Sequence, residues 1–209
     1  RDFLSGIVVR FSRQYPDIRV EVSFAPGEVD LVAAGFDLGL RAARDGHLNG
    51  SSQIVRKVAQ LSLWLLAAPS YLKSHGAPRR PGDLKNHNFI LYDHERACRK
   101  ACELVGPRGR EPIELSGSLS SDDPLFVREL ALRGAGITLM VPRIDDLRSG
   151  ALVRVLPDYE IPDISLSVVM PSNRHMPRRV ALFRDALVEA FKGFPYALDS
   201  IVRIQATGT

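Results

Sequence analysis

What most constrains this sequence is a repeated change of hydrophobic period, from helical to alternating and back. Phe3, Leu4, Ile7, Val8, Phe11 and Tyr15 recur at helical spacing until Pro16, which predicts an amphipathic helix stopped by the proline. Ile18, Val20, Val22 and Phe24 then alternate with Arg19, Glu21 and Ser23, the period of a strand with one face in a core. Pro26-Gly27-Glu28 turns the chain into an expected second helix, where Val29, Val32 and Ala33 share a face and Gly35 ends the run. Residues 36–40 read as a short buried strand, 44–52 as a polar loop, and 54–58 and 61–68 as two further strands. This alternation argues for a mainly parallel sheet with helices on both faces.

Beyond Ala68 the pattern changes. Short helices are expected to start at Pro69 and Pro81, with a strand over 89–92, a polar irregular stretch over 93–111 and a strand over 113–119. A helix from Pro124 should stop at Arg133-Gly134, followed by a buried strand over 137–141, a short helix from Ile144 and strands over 152–156 and 164–170. Val180, Phe183, Leu187 and Phe191 mark one face of a long final helix, and residues 195–209 read as a loose tail. The apolar segments 61–68 and 164–170 flank the region of different pattern. The expected architecture is therefore α/β, with two lobed Rossmann-like subdomains joined by two crossover strands. Residues 1–68 and 167–194 would form lobe I, and 69–166 lobe II.

Composition narrows the function classes. The 209 residues, 45% hydrophobic and 25% charged, suit a folded domain rather than a disordered chain. The longest apolar run, Leu63 to Pro69, is far too short for a membrane span, so no membrane partner is expected and a cytoplasmic location is. Two cysteines, Cys98 and Cys102, make no disulfide framework and lack the second ligand pair of a zinc site. A redox pair and two ordinary thiols both remain open. The net charge of +4 invites a nucleic-acid reading. However, the basic pairs Arg79-Arg80, Arg99-Lys100 and Arg178-Arg179 are scattered and have no interleaved aromatics to stack bases.

Here the residues resemble a known family. The run from Phe11 through Tyr15-Pro16-Asp17 to Val22, and the run Val29-Asp30-Leu31-Val32 through Gly35-Phe36-Asp37-Leu38 to Arg41, are similar to the effector-binding domain of LysR-type transcriptional regulators. So are Ala67-Ala68-Pro69-Ser70-Tyr71-Leu72 with His75-Gly76 and Pro81-Gly82-Asp83-Leu84, then Gly117 to Asp122, Leu130 to Pro142 and Gly150 to Leu156. The resemblance runs from about residue 3 to 193 in the family's order. It implies a periplasmic-binding-protein-like fold of type 2, a small-molecule effector held between lobes, a homodimer or homotetramer, and no cofactor. The helices at 3–15 and 124–134 would pack across the dimer, with burial inside the monomer an equal alternative. The family's usual first strand and its winged helix-turn-helix are not in this sequence, so DNA binding is expected only through a domain outside it. The alternative from another class is a free-standing solute-binding protein of a transporter.

No catalytic constellation emerges, and an enzyme is not expected. The histidines His47, His75, His87, His94 and His175 show no metal-ligand spacing, His94-Glu95 lacks a second histidine, and there is no nucleophile elbow. Gly134-Ala135-Gly136 precedes a strand instead of opening a helix, so it reads as a helix stop and tight turn rather than a dinucleotide loop. Candidate ligand contacts sit at strand ends and helix starts. Ser120, Ser121 and Asp122 precede the helix at Pro124, where free amides suit a carboxylate and an N-cap is the competing reading. Ala25 and Pro26 leave room at another strand-to-helix turn. Arg41 suits an anionic ligand or a neighbouring carboxylate. Ala68, Pro69 and Ser70 read as a hinge, and Tyr92 and Val141 as either cleft wall or core.

Overall fold

The structure is a computed structural model that describes residues 2–25, 29–43, 53–92, 99–162, 164–172, 176–192 and 200–206. The chain divides into two compact units, Arg1–Leu61 with Ile164–Thr209, and Ser62–Asp163. Along the first crossing run α1 (Asp2–Gln14), β1 (Ile18–Ser23), β2 (Leu38–Ala43) and β3 (Gln53–Leu61). The second unit holds β4 (Trp64–Ala67), α2 (Pro69–His75), a 3-10 helix (Pro81–Asn86), β5 (Phe89–Tyr92), β6 (Arg99–Gly106), β7 (Gly109–Ser116), β8 (Leu119–Ser121), α3 (Pro124–Leu132), β9 (Ile137–Met140), α4 (Ile144–Arg148) and β10 (Val153–Arg154). β11 (Ile164–Pro171), α5 (Arg178–Phe191) and β12 (Ser200–Ala206) return to the first unit. The division falls at 61/62 and 163/164 rather than at the expected 68/69 and 166/167. The reason is that β4 pairs with β9 and β10, both inside the second unit.

The first unit is built on a sheet of order β1-β12-β2-β11-β3. Every neighbouring pair in it is antiparallel, which corrects the expectation of a mainly parallel sheet here. The correction comes from the expected tail: part of 195–209 forms β12, lying between β1 and β2 and antiparallel to both. β1 and β2 therefore run parallel to each other without being bonded. Leu38, Leu40, Leu166 and Val168 are buried in this sheet. Leu4, Ile7 and Phe11 on α1 are buried as the periodicity requires, and α1 meets α5 through Phe11 against Phe183, edge to face with centroids 4.8 Å apart. The expected second helix is only a turn over 31–35. The Asp30 carboxylate accepts the Val32 and Ala33 amides, and Gly35 at φ 71° ends the coil before a second turn can form.

In the second unit the order is β10-β4-β9-β5-β8. β8, β5 and β9 run parallel, while β4 is antiparallel to β9 and β10. Both faces are apolar, as a buried parallel core requires. Leu65, Ala67, Phe89, Leu91 and Ile137 join one core cluster with Tyr71 and Leu104; Leu66, Ala68 and Ile90 join another with Val127 and Ala131 of α3. The expected irregular stretch 93–111 instead contains most of a hairpin, β6 with β7, although 93–98 lie outside the described residues. Gly109 at φ 97° supplies its turn. The expected strand 113–119 is two strands broken at Gly117, where a Cβ would collide with the Phe89 carbonyl.

Candidate functional site

Strand register decides which candidate residues come together. Tyr92 pairs with Ser121, and Leu91 with Ser120. β9 runs parallel to β5 and ends immediately before Val141, so Tyr92, Ser120, Ser121, Asp122 and Val141 share one end of the second unit's sheet. Trp64 is the register partner of Met140, so the chain enters this unit at that same end. The Arg154 guanidinium lies 4.3 Å from the Trp64 ring centroid. Carboxyl ends of parallel strands are where α/β sheets hold ligands.

Ala68, Pro69 and Ser70 are at the other end. Ala67 faces Ile137, the first residue of β9, because β4 runs antiparallel to β9. Their expected role as a hinge is corrected: they lie inside the second unit, past its entry at Ser62. Ala68 is buried and its carbonyl accepts the Tyr71 and Leu72 amides at 3.1 and 3.3 Å. Pro69 opens α2, the position where a missing N–H costs nothing. The hinge reading failed because an X-Pro step after an apolar strand marks a helix start just as well.

The start of α3 is already capped. Asp123 accepts the Leu125 and Phe126 amides at 2.7 and 3.0 Å, and Ser121 Oγ accepts the Asp123 amide at 3.1 Å. The cap is thus Asp123, not Ser120, Ser121 or Asp122, and its carboxylate already occupies the positive end of the helix. Asp122 and Ser120 are exposed. What this end offers a ligand is hydroxyl chemistry: Ser120, Ser121, whose own proton has no acceptor among the described residues, and the half-buried Tyr92. The Asp123-Pro124 pair, a capping residue before a proline at the first helical position, carried this signal in the sequence.

Equivalent arithmetic applies to the first unit. Ser23 and Gly39 both face Ile201 of β12, so Ala25 is level with Arg41. Pro26 lies outside the described residues. Leu61 faces Ile164 and Ala43 faces Ser165, so this is also the end at which the chain leaves the unit and returns. Arg41 makes no ion pair with a carboxylate among the described residues. Its Nη2 donates to the Val29 carbonyl, its Nη1 to Gln53 Oε1 at 3.3 Å, and its Nε is buried without a partner. The neighbouring-carboxylate alternative is not made among the described residues. Gln53, which holds it, had no sequence signal, since the pairing crosses the polar loop.

No group of three His, Cys, Asp or Glu among the described residues is placed to hold a metal. Cys102 is a buried thiol of β6; Cys98 and His94 lie outside the described residues. No described helix is long and apolar enough to cross a membrane.

Residues 1–192 match the family described as the LysR substrate binding domain. The chain belongs to this family. A relative in Escherichia coli strain K12, the HTH-type transcriptional regulator YhjC, is 32% identical over 184 residues, covering 86% of this chain and 60% of its own. The transcriptional activator AaeR of the same organism is 27% identical, covering 91% of this chain and 61% of its own. The chain thus spans about 60% of the length of these curated relatives. Among solved structures, the full-length Vibrio cholerae virulence activator AphB aligns with a TM-score of 0.73 at 28% identity, covering 88% of this chain and 62% of that one. The regulatory domain of CrgA from Neisseria meningitidis aligns with a TM-score of 0.76, covering 90% of this chain and 91% of that one; at 24% identity it speaks for the fold alone. The LysR-type domain therefore has the type 2 periplasmic-binding-protein-like architecture, and its relatives regulate transcription. As a LysR-type domain it is an effector sensor, and the transport alternative is set aside.

Proposed function

We propose that this LysR-type domain senses a small organic anion through the strand ends described above, by binding rather than by catalysis. The observation that carries the reading is Arg41, a charged guanidinium without a carboxylate partner among the described residues. Its backbone lies two residues before the end of β2, among the positions where the family resemblance expects ligand contacts. Ala25 would leave room beside it. Within the second unit, Ser120, Ser121, Tyr92 and Val141 would form a separate set of strand-end contacts, hydroxyls with an apolar wall. With Asp123 over the start of α3, the carboxylate of a ligand is better matched to Arg41 than to that helix.

In the longer regulator, effector binding would favour one of two pre-existing arrangements of a homodimer or homotetramer. DNA would be bound by its HTH domain in the cytoplasm. Val9 on α1 and Phe126 on α3, 48% and 55% exposed, support these two helices as partner contacts.

Calorimetry against small carboxylic acids and their amides tests the reading. Saturable binding of at least one carboxylate is expected, weakened about 10- to 100-fold in Arg41→Gln, the worth of a charge-assisted hydrogen bond. Equal affinity for the amides, or unchanged affinity in the variant, would overturn it.

A further inference from the structure

At the opposite end of the second unit's sheet, one residue holds three strands. The Asn88 side-chain oxygen accepts the Ser118 amide at 2.9 Å and the Ser118 hydroxyl at 3.2 Å. Its amide nitrogen donates to the Ala135 carbonyl at 3.0 Å, and its backbone carbonyl accepts the Ile137 amide at 3.0 Å. Asn88 therefore ties together the entries of β8, β5 and β9. Gly136 allows this approach, since a Cβ there would lie 2.5 Å from the Asn88 carbonyl oxygen.

The Asn88 backbone N–H donates to the buried Tyr71 hydroxyl oxygen at 2.9 Å. That oxygen also stands 3.3 Å from His87 Nδ1. With the imidazole neutral and its proton on Nε2, the hydroxyl donates to Nδ1 and both polar atoms are satisfied. With the imidazole protonated, Nδ1 becomes a donor facing a donor. The hydroxyl proton of Tyr71, a side chain only 2% exposed, is then left without that acceptor.

We infer that Tyr71 and Asn88 are positioning residues for the effector-binding strand ends, and that neutral His87 keeps them in place, so that proton uptake by His87 loosens the register of Tyr92, Ser121 and Val141. This rests on the effector reading above. The path is short: β5 carries the change from Asn88 to Tyr92 over about 13 Å at the ordinary strand rise.

The surroundings favour the neutral imidazole. His87 is held below the usual imidazole value by burial first and by nearby His75 second, with Asp83 of the 3-10 helix opposing. His75 stacks on the Tyr71 ring at 4.3 Å, its ring nitrogen donating to the Tyr71 carbonyl at 3.1 Å. The other charged groups on the adjoining elements are Lys73 on α2, and Lys85 on the 3-10 helix with Arg110, Glu111 and Glu114 on β7, the last four lining a groove of about 370 Å³ between those elements.

The test is a pH titration of the amide and imidazole NMR signals of the unliganded protein, so that no effector is required. In the wild type, the amides of Asn88, Tyr92 and Ser121 should move with the His87 midpoint, below 6.5. In Tyr71→Phe, which keeps the ring against His75, His87 should still titrate while Tyr92 and Ser121 stop following it. His87→Asn should abolish the response, and His75→Asn should retain it. A His87 titration with no movement at Tyr92 and Ser121, or the same movement in Tyr71→Phe, would overturn the inference. If a carboxylate ligand is in hand, its affinity should fall at least severalfold through the same midpoint in the wild type and stay level in His87→Asn. Absence of any ligand would count against the effector reading and leave the NMR result standing.

Discussion

The two units hold their candidate site residues by different physics. In the second unit the strand entries are fixed by side-chain hydrogen bonds through Asn88 and by glycines that admit no Cβ. In the first, backbone pairing sets most of the strand ends, with the terminal β12 inserted between β1 and β2, and the side-chain bonds there are few, Arg41 to Gln53 and Ser165 to Gln60. Side-chain fixing is local and can be broken by one atom. Backbone pairing is spread over many bonds but depends on a segment far away in sequence. The first design suits an end that must present hydroxyls at fixed positions. The second leaves Arg41 held by a carbonyl and an amide, with no carboxylate partner among the described residues.

Gly117→Ala should give the largest effect. Its new methyl meets a backbone carbonyl that cannot move without parting β5 from β8, and a loss above about 4 kcal/mol is expected. Trp64, the single tryptophan, lies in the second unit, so its fluorescence in a urea titration reads that unit directly. A near-wild-type midpoint would show that the local lock is slack.

Next comes Arg128→Ala. Arg128 Nε donates to Asp146 Oδ2 at 2.7 Å, and Nη2 to Oδ1, joining α3 to α4 around a carboxylate only 5% exposed. Removing one partner of a largely buried pair should cost about 3 kcal/mol, again read by Trp64. The double variant Arg128→Ala, Asp146→Ala should recover part of that, because the stranded charge is gone.

A chain ended at Lys192 sharpens the contrast between units. Losing β12 leaves β1 and β2 with unpaired inner edges. Faster amide exchange at Val20, Val22 and Leu40 is therefore expected, while the Trp64 unfolding midpoint stays in place. A shift of that midpoint would mean the two units unfold as one.

These contrasts also explain what could be read from the sequence. Helices with a sustained period, α1, α3 and α5, were legible, as was the stop at Gly134, which adopts φ 75°. So was the family, and with it the architecture. Three features were not. In β6, Cys102 and Leu104 are buried while Ala101 is exposed, but the charged residues around them made the stretch look like a loop. β12 pairs with strands far away in sequence, and no local period reveals a long-range partner. The candidates 68–70 sat at the wrong end because strand direction within a sheet is set by pairing, not by composition. Of the candidate site, the strand-end hydroxyls and Arg41 came from the sequence, and the Asp123-Pro124 pair carried the cap signal there, whereas Gln53 and Asn88 needed the register.

The smallest expected effect is a pH slope confined to the second unit. Because His87 sits below its ordinary value of 6.5 when folded, the unfolded chain binds the proton more readily. Stability should therefore be complete above 6.5 and fall as the pH drops beneath it, levelling off only once the folded imidazole is also charged. Asp83 acts in a separate window. Its exposed carboxylate is held below its ordinary 3.8 by the Arg79 amide first and the Arg80 guanidinium next, so its contribution is present above 3.8 and is lost only in stronger acid. The two can be separated by measuring the Trp64 midpoint from pH 7.5 to 5. His87→Asn should flatten that slope, and Asp83→Asn should leave it nearly unchanged. A slope that survives His87→Asn would have to come from other groups, and local side-chain fixing in the second unit would then not be proton-sensitive at its Tyr71 anchor.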